Sequence, residues 1–170
     1  MNNNKNIFFC FCFVALCAFM SCNTLDNSND EWRKDNQAAY DSIKIHSDWH
    51  ELKTGDGPSG IYYRDLTESG TEIGGEHPIE TASVVVNYTG KFYNESVFDS
   101  GVKTSFVVNQ TKRGFGVALQ HMRVGQTWEV CIPYYLGYGE AGLYSGYTAV
   151  IQGYTTLFFK IELLQINQHP

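Results

Sequence analysis

The spacing of apolar and polar positions changes character twice along the chain. Residues 7–20, IFFCFCFVALCAFM, form an unbroken apolar run behind Lys5. A bilayer-crossing helix needs about 20 apolar residues, so this run is too short, and residues 1–21 read as an export signal. Residues 22–30 are polar and low in complexity, which reads as a tether. In DEWRKDNQAAYDSIKIHSDWHELK, residues 30–53, Trp32, Ala39, Tyr40 and Ile43 recur at roughly helical spacing. Asp30 and Glu31 suit the positive end of a helix dipole. The pattern predicts a helix over residues 31–53, with a polar majority fit for a surface or lever position. TGDGPSG at 54–60 ends it.

From Ile61 onward the period falls to two. IYYRDL reads as a strand, residues 68–80 as a turn-rich connection, and SVVVNYTGKFY as a strand with its turn. In that second strand Val84, Val86 and Tyr88 share one face. TWEVCIP places Trp128, Val130 and Ile132 on one side, and TLFFKIELLQI does the same with Leu157, Phe159, Ile161 and Leu163. Between these strands GFGVALQHM carries Phe115, Leu119 and Met122 at the i, i+4, i+7 spacing of an apolar helix face. One short helix among alternating strands predicts an α+β fold, with residues 54–170 as one domain built from a sheet curled round that helix.

Composition narrows the function. The 170 residues suffice for one domain with appendages. Aromatics make up 15%, and sixteen glycines stand against four prolines, which suits strands and tight turns. The net charge is −6 with no cluster of Lys and Arg, so a nucleic-acid partner is excluded. Cys10, Cys12 and Cys17 lie inside the apolar run, and Cys22 follows Ser21 at its end, leaving Cys131 alone in the body. A single cysteine forms no internal disulfide, so the domain stands on its core. The Ser21-Cys22 step resembles a bacterial lipoprotein processing site, although Phe19-Met20 departs from the usual pattern. The resemblance implies a lipid anchor on Cys22. His46 and His50 are four apart, but no third ligand accompanies them, so no metal site is expected, nor any other cofactor.

Five segments then occur in order: VVVNYTG at 84–90, FDSG at 98–101, RGFGVALQHMRVGQ at 113–126, IPYYLGYG at 132–139 and TLFFKIELLQI at 156–166. Together, over residues 61–166, they resemble an FKBP-type peptidyl-prolyl isomerase in an exported lipoprotein form. The resemblance implies a twisted antiparallel half-barrel wrapped round the short helix, preceded here by the N-terminal helix. It implies catalytic residues Tyr88, Phe98, Asp99, Phe115, Tyr138 and Phe159. It adds a substrate pocket from Phe106, Thr111, Lys112, Val150 and Ile151. In this picture Phe115 is the floor and Phe106 and Phe159 are walls. Tyr138 offers a hydroxyl at the rim, and Asp99 orients Tyr138 or polarises the pocket. Gly90 is expected to end its strand by adopting backbone angles that other residues resist.

The chain also departs from the family pattern. Thr111-Lys112 stands where the family usually has an apolar Val-Ile pair whose backbone N–H anchors the bound peptide. Ile151-Gln152-Gly153 stands for Ile-Pro-Pro, and the segment at 139–150 is longer than in compact members. Two functions stay open. One is an isomerase for proline-containing polypeptides at a cell-envelope membrane, with the outer membrane as the expected address. The other is a weakly active or inactive peptide-binding chaperone or assembly factor on the same fold. A carbohydrate-binding lipoprotein is the third and weakest reading.

Overall fold

The computed structural model describes residues 24–167. The signal segment and Cys22 lie outside the described residues. Six strands, β1 (His50–Thr54), β2 (Gly57–Asp65), β3 (Ser83–Lys91), β4 (Val97–Val107), β5 (Thr127–Ile132) and β8 (Leu157–Asn167), form one sheet in the order β1-β2-β5-β8-β3-β4. Every neighbouring pair is antiparallel. A separate hairpin joins β6 (Leu143–Ser145) to β7 (Thr148–Ile151).

The sheet curls round α2 (Arg113–His121) because the alternating side chains leave one face continuously apolar. Trp128, Val130 and Ile132 from β5 and Leu157, Phe159, Ile161 and Leu163 from β8 are buried there. They meet Phe115, Ala118 and Leu119 of the helix, and Met122 just past its end. Each such aliphatic side chain contributes about 1.5–3 kcal/mol by leaving water. The fold is therefore the FKBP-like one: an open, twisted sheet round a short helix, with a further helix at the N-terminal side.

The N-terminal helix differs in extent from its sequence pattern. α1 runs Thr24–Lys44, so it takes in most of the expected tether and stops nine residues short of Lys53. Two turns stop it, His46 N–H donating to the Ile43 carbonyl and Trp49 N–H to that of His46. The chain then enters β1, where His50 pairs with Tyr63 and Leu52 becomes buried. A strand partner across a hairpin outweighs local helical periodicity. Consequently His46 and His50 sit in a turn and a strand rather than on one helix face.

α1 docks beside the opposite side of the sheet through Trp32, Asn36 and Tyr40, one turn apart. The Trp32 ring meets Phe92 and Tyr93 in the β3–β4 turn, at 5.6 and 5.3 Å between centroids. Asn36 is fully buried. Its amide oxygen accepts from Thr156 N–H at 2.9 Å, and its amide nitrogen donates to the Trp32 carbonyl at 2.8 Å. Tyr40 donates to the Gly60 carbonyl at 2.7 Å and packs its ring edge against Tyr62. Cys131, paired with Tyr62 across β2 and β5, is buried, and burial pushes its thiol pKa up, so it stays a protonated packing group.

Candidate active site

The site grows from the register of β3 and β4. Alternation puts Tyr88 on the face shared by Val84 and Val86, and the β4 partners set Phe106 opposite Val84 and Asp99 opposite Gly90. β4 was not legible as a strand; residues 97–107 alternate weakly because their outer side is solvated. A register shift between Val86 and Tyr88 marks a bulge next to the hollow. Helix α2 presents Phe115 from the middle of its first turns, and β8 presents Phe159.

These elements enclose a hollow of about 470 Å³. Tyr88, Asp99, Phe106, Thr111, Lys112, Phe115, Tyr138 and Phe159, all expected from sequence, line it. The rings touch edge to face. Phe115 lies 5.0 Å from Phe159, 5.8 Å from Phe106 and 6.2 Å from Tyr88 between centroids. Such contacts favour fixed ring orientations over a collapsed cluster. Phe115 is 6% exposed and closes the bottom of the hollow.

Three expected residues lie elsewhere. Phe98 stands behind the wall, with its ring 5.5 Å from Phe159 and 5.0 Å from Phe92. Ile151 is 2% exposed and belongs to the core, because β7 turns it inward. Val150, its neighbour on the alternating strand, is exposed on the hairpin. In exchange Ser83, Ser105, Val107 and Gln110 line the hollow. Ser105 and Val107 flank Phe106 on β4, where strand alternation turns side chains to the other face, so no sequence pattern marked them.

Gly90 serves the site by its lack of a side chain rather than by unusual backbone angles. A Cβ there would lie 2.6 Å from Phe98 Cζ and 2.8 Å from Phe159 Cε1. Only glycine lets the two rings close over the strand.

The polar groups divide into two sets. Tyr88 Oη donates to Asp99 Oδ2 at 2.8 Å, so the carboxylate orients Tyr88 and not Tyr138. Burial, reinforced by that hydrogen bond, pushes the Tyr88 pKa up to about 12. Burial also raises Tyr138, with the Asp99 charge adding to it. Both phenols therefore stay protonated donors at neutral pH. Across the mouth, Lys112 Nζ sits 4.5 Å from the Tyr138 ring centroid, a cation–π contact. Lys112 also caps α2 with its carbonyl, which accepts from Gly116 N–H at 2.9 Å. Its own N–H has no acceptor among the described residues.

The family model for the FKBP-type peptidyl-prolyl cis-trans isomerase matches residues 74–164, more than half of the chain and every strand and helix that lines the hollow. The chain belongs to this family. Among curated FKBP-type relatives, the 22 kDa peptidyl-prolyl cis-trans isomerase of Escherichia coli is 39% identical over 112 residues, covering 64% of this chain and 50% of that one. The outer membrane protein MIP of Legionella longbeachae is 36% identical over 115 residues, covering 65% of this chain and 46% of that one. This FKBP-type chain thus spans about half the length of the curated relatives it matches. A peptidyl-prolyl cis-trans isomerase from Pseudomonas syringae pv. tomato superposes with a TM-score of 0.69 at 26% identity, covering 82% of this chain and 96% of that one. The FKBP-type site holds no cluster of three or more His, Cys, Asp or Glu among the described residues suited to a metal ion.

Proposed function

We propose that the protein is a peptidyl-prolyl cis-trans isomerase that acts on exported, proline-containing polypeptides at a cell-envelope membrane. The observation that carries this reading is the aromatic hollow in which the one carboxylate among the described residues, that of Asp99, accepts the Tyr88 hydroxyl. Rotation about an X–Pro bond meets a barrier of roughly 20 kcal/mol because amide resonance must be broken. The twisted transition state has lost the charge separation of the planar amide. A pocket walled by Phe106, Phe115 and Phe159 disfavours the planar form relative to the twisted one. Lowering the barrier by about 7 kcal/mol accelerates the step on the order of 10⁵-fold. No covalent intermediate and no proton transfer are needed.

The roles follow from position. Phe115 supports the proline ring from below, and Phe106 and Phe159 exclude water from the sides. Tyr88, held by Asp99, and Tyr138 offer hydroxyls to peptide carbonyls, and the unpartnered Lys112 N–H offers a backbone donor. Phe98 acts one layer back by holding Phe159.

Lipid on Cys22 would keep the domain at the membrane. Among the described residues no helix is long and apolar enough to cross one, which suits an anchor supplied from the N-terminal segment. The Legionella relative, called an outer membrane protein, favours the same compartment.

The test follows cis-to-trans relaxation of a Leu-Pro peptide with the purified protein, beside Asp99→Ala and Phe159→Ala. Acceleration that both substitutions reduce by tenfold or more supports the reading. A folded protein that binds the peptide without acceleration makes it a peptide-binding chaperone, the reading that the polar Thr111-Lys112 pair favours.

A further inference from the structure

Lys112 gives the hollow a charge that its aromatic walls do not require. Its ammonium lies against the Tyr138 ring, and it enters no ion pair among the described residues. The other charged group in the lining, Asp99, already accepts the Tyr88 hydroxyl and sits on β4, whereas Lys112 opens α2. Gln110 and Thr111 precede it on the same rim, and Thr111 turns its hydroxyl away to the Val108 carbonyl at 2.7 Å. The rim at this point therefore presents one cation without a partner carboxylate, held by a ring at the mouth of a cavity.

Resting on the proposal that this hollow receives proline segments, we infer that Lys112 selects among them, favouring a polypeptide with a carboxylate side chain next to the proline. A cation already stacked on an aromatic face has lost part of its freedom, so pairing with a substrate carboxylate costs less ordering than it would for a free lysine. The tyrosine face beneath leaves the outer side of the ammonium open to the ligand. Because the pair forms near the surface, its effect is a preference and not a requirement.

The test compares peptides that differ only as Glu or Gln, placed immediately before and immediately after the proline, with the full protein and with Lys112→Gln. Both catalysed relaxation and binding affinity are read. The expected result is a roughly twofold to fivefold advantage for Glu over Gln in at least one position. That advantage shrinks at about 0.5 M salt and disappears in Lys112→Gln. Equal values for Glu and Gln in both positions, or an advantage that survives Lys112→Gln, overturn the inference. Either can happen while a Leu-Pro peptide is still accelerated, which leaves the isomerase reading standing. If no peptide is accelerated, the isomerase reading fails, and the affinity ratio still decides the role of Lys112.

Discussion

On the side of the sheet that faces α2, Val84, Val86, Val130, Ile161 and Leu163 are fully buried, and none carries a polar side-chain atom. On the side that faces α1 the anchors are Trp32, Asn36 and Tyr40, and each makes a hydrogen bond across the contact or within the helix that steers it. The first contact gains from the area it removes from water. The second combines the ring contacts of Trp32 and Tyr40 with polar groups that would otherwise be buried unpaired. One is tolerant of shape-conserving change, whereas the other weakens with each hydrogen-bond partner removed.

The largest effect should come from the α2 side. Ile161→Ala empties a fully buried position between β5 and β3 and should cost about 2–5 kcal/mol in a urea unfolding experiment. A smaller loss than that of any α1-side substitution would reverse the ranking of the two contacts.

Asn36→Ala attacks the other side. It deletes the acceptor of Thr156 N–H, inside a buried contact, and the donor to the Trp32 carbonyl, which is half-buried. Leaving the Thr156 N–H without a partner should cost about 1–3 kcal/mol. Hydrogen exchange should rise along α1 and at Thr155 and Thr156 before it rises in β5 or β8. Uniform loosening of the whole sheet would instead show that both sides form one cooperative contact.

The contrast also explains what the sequence alone makes legible. Strands β3, β5 and β8 and helix α2 advertise the apolar side by periods of two and 3.6, so the core with Phe115 and Phe159 was legible, whereas Phe106 on β4 was reached only through the family likeness. The stripe of α1 was half hidden, because its central member Asn36 is polar and periodicity counts only apolar residues. Strand β1 was lost for a similar reason: HELKT buries only Leu52, and its identity comes from β2, not from its own pattern. The hollow was legible where the segments of the family likeness carry its residues. It was misplaced at Ile151 and Val150, where the longer segment forms its own hairpin and swings one residue into the core and the other into solvent.

Tyr40→Phe probes the α1 contact more gently. It removes the hydroxyl that donates to the Gly60 carbonyl and keeps the ring against Tyr62. The expected loss is about 0.5–1.5 kcal/mol, with the midpoint of urea unfolding shifted and its slope unchanged. A changed slope would mean that α1 had detached as a unit.

The smallest effect is one of pH, and it touches both sides. Tyr88 under Asp99 and Tyr40 beside Gly60 are each raised above the ordinary phenol value of 10.0, Tyr88 to about 12 and Tyr40 further, burial being the leading cause in both. A phenol whose folded pKa is raised keeps its full contribution to stability below the unfolded value. That contribution is lost as pH rises through the folded value, because the unfolded chain then releases protons that the native chain still holds. Neither tyrosine should therefore alter stability between neutral pH and about 10, and stability should decline from there toward about 12. The tyrosinate absorbance that separates the native protein from Tyr88→Phe should be absent at pH 10. If it appears there with the ordinary midpoint, the Tyr88 hydroxyl is not held against Asp99 in solution, and the polar half of the site must be redrawn around Tyr138.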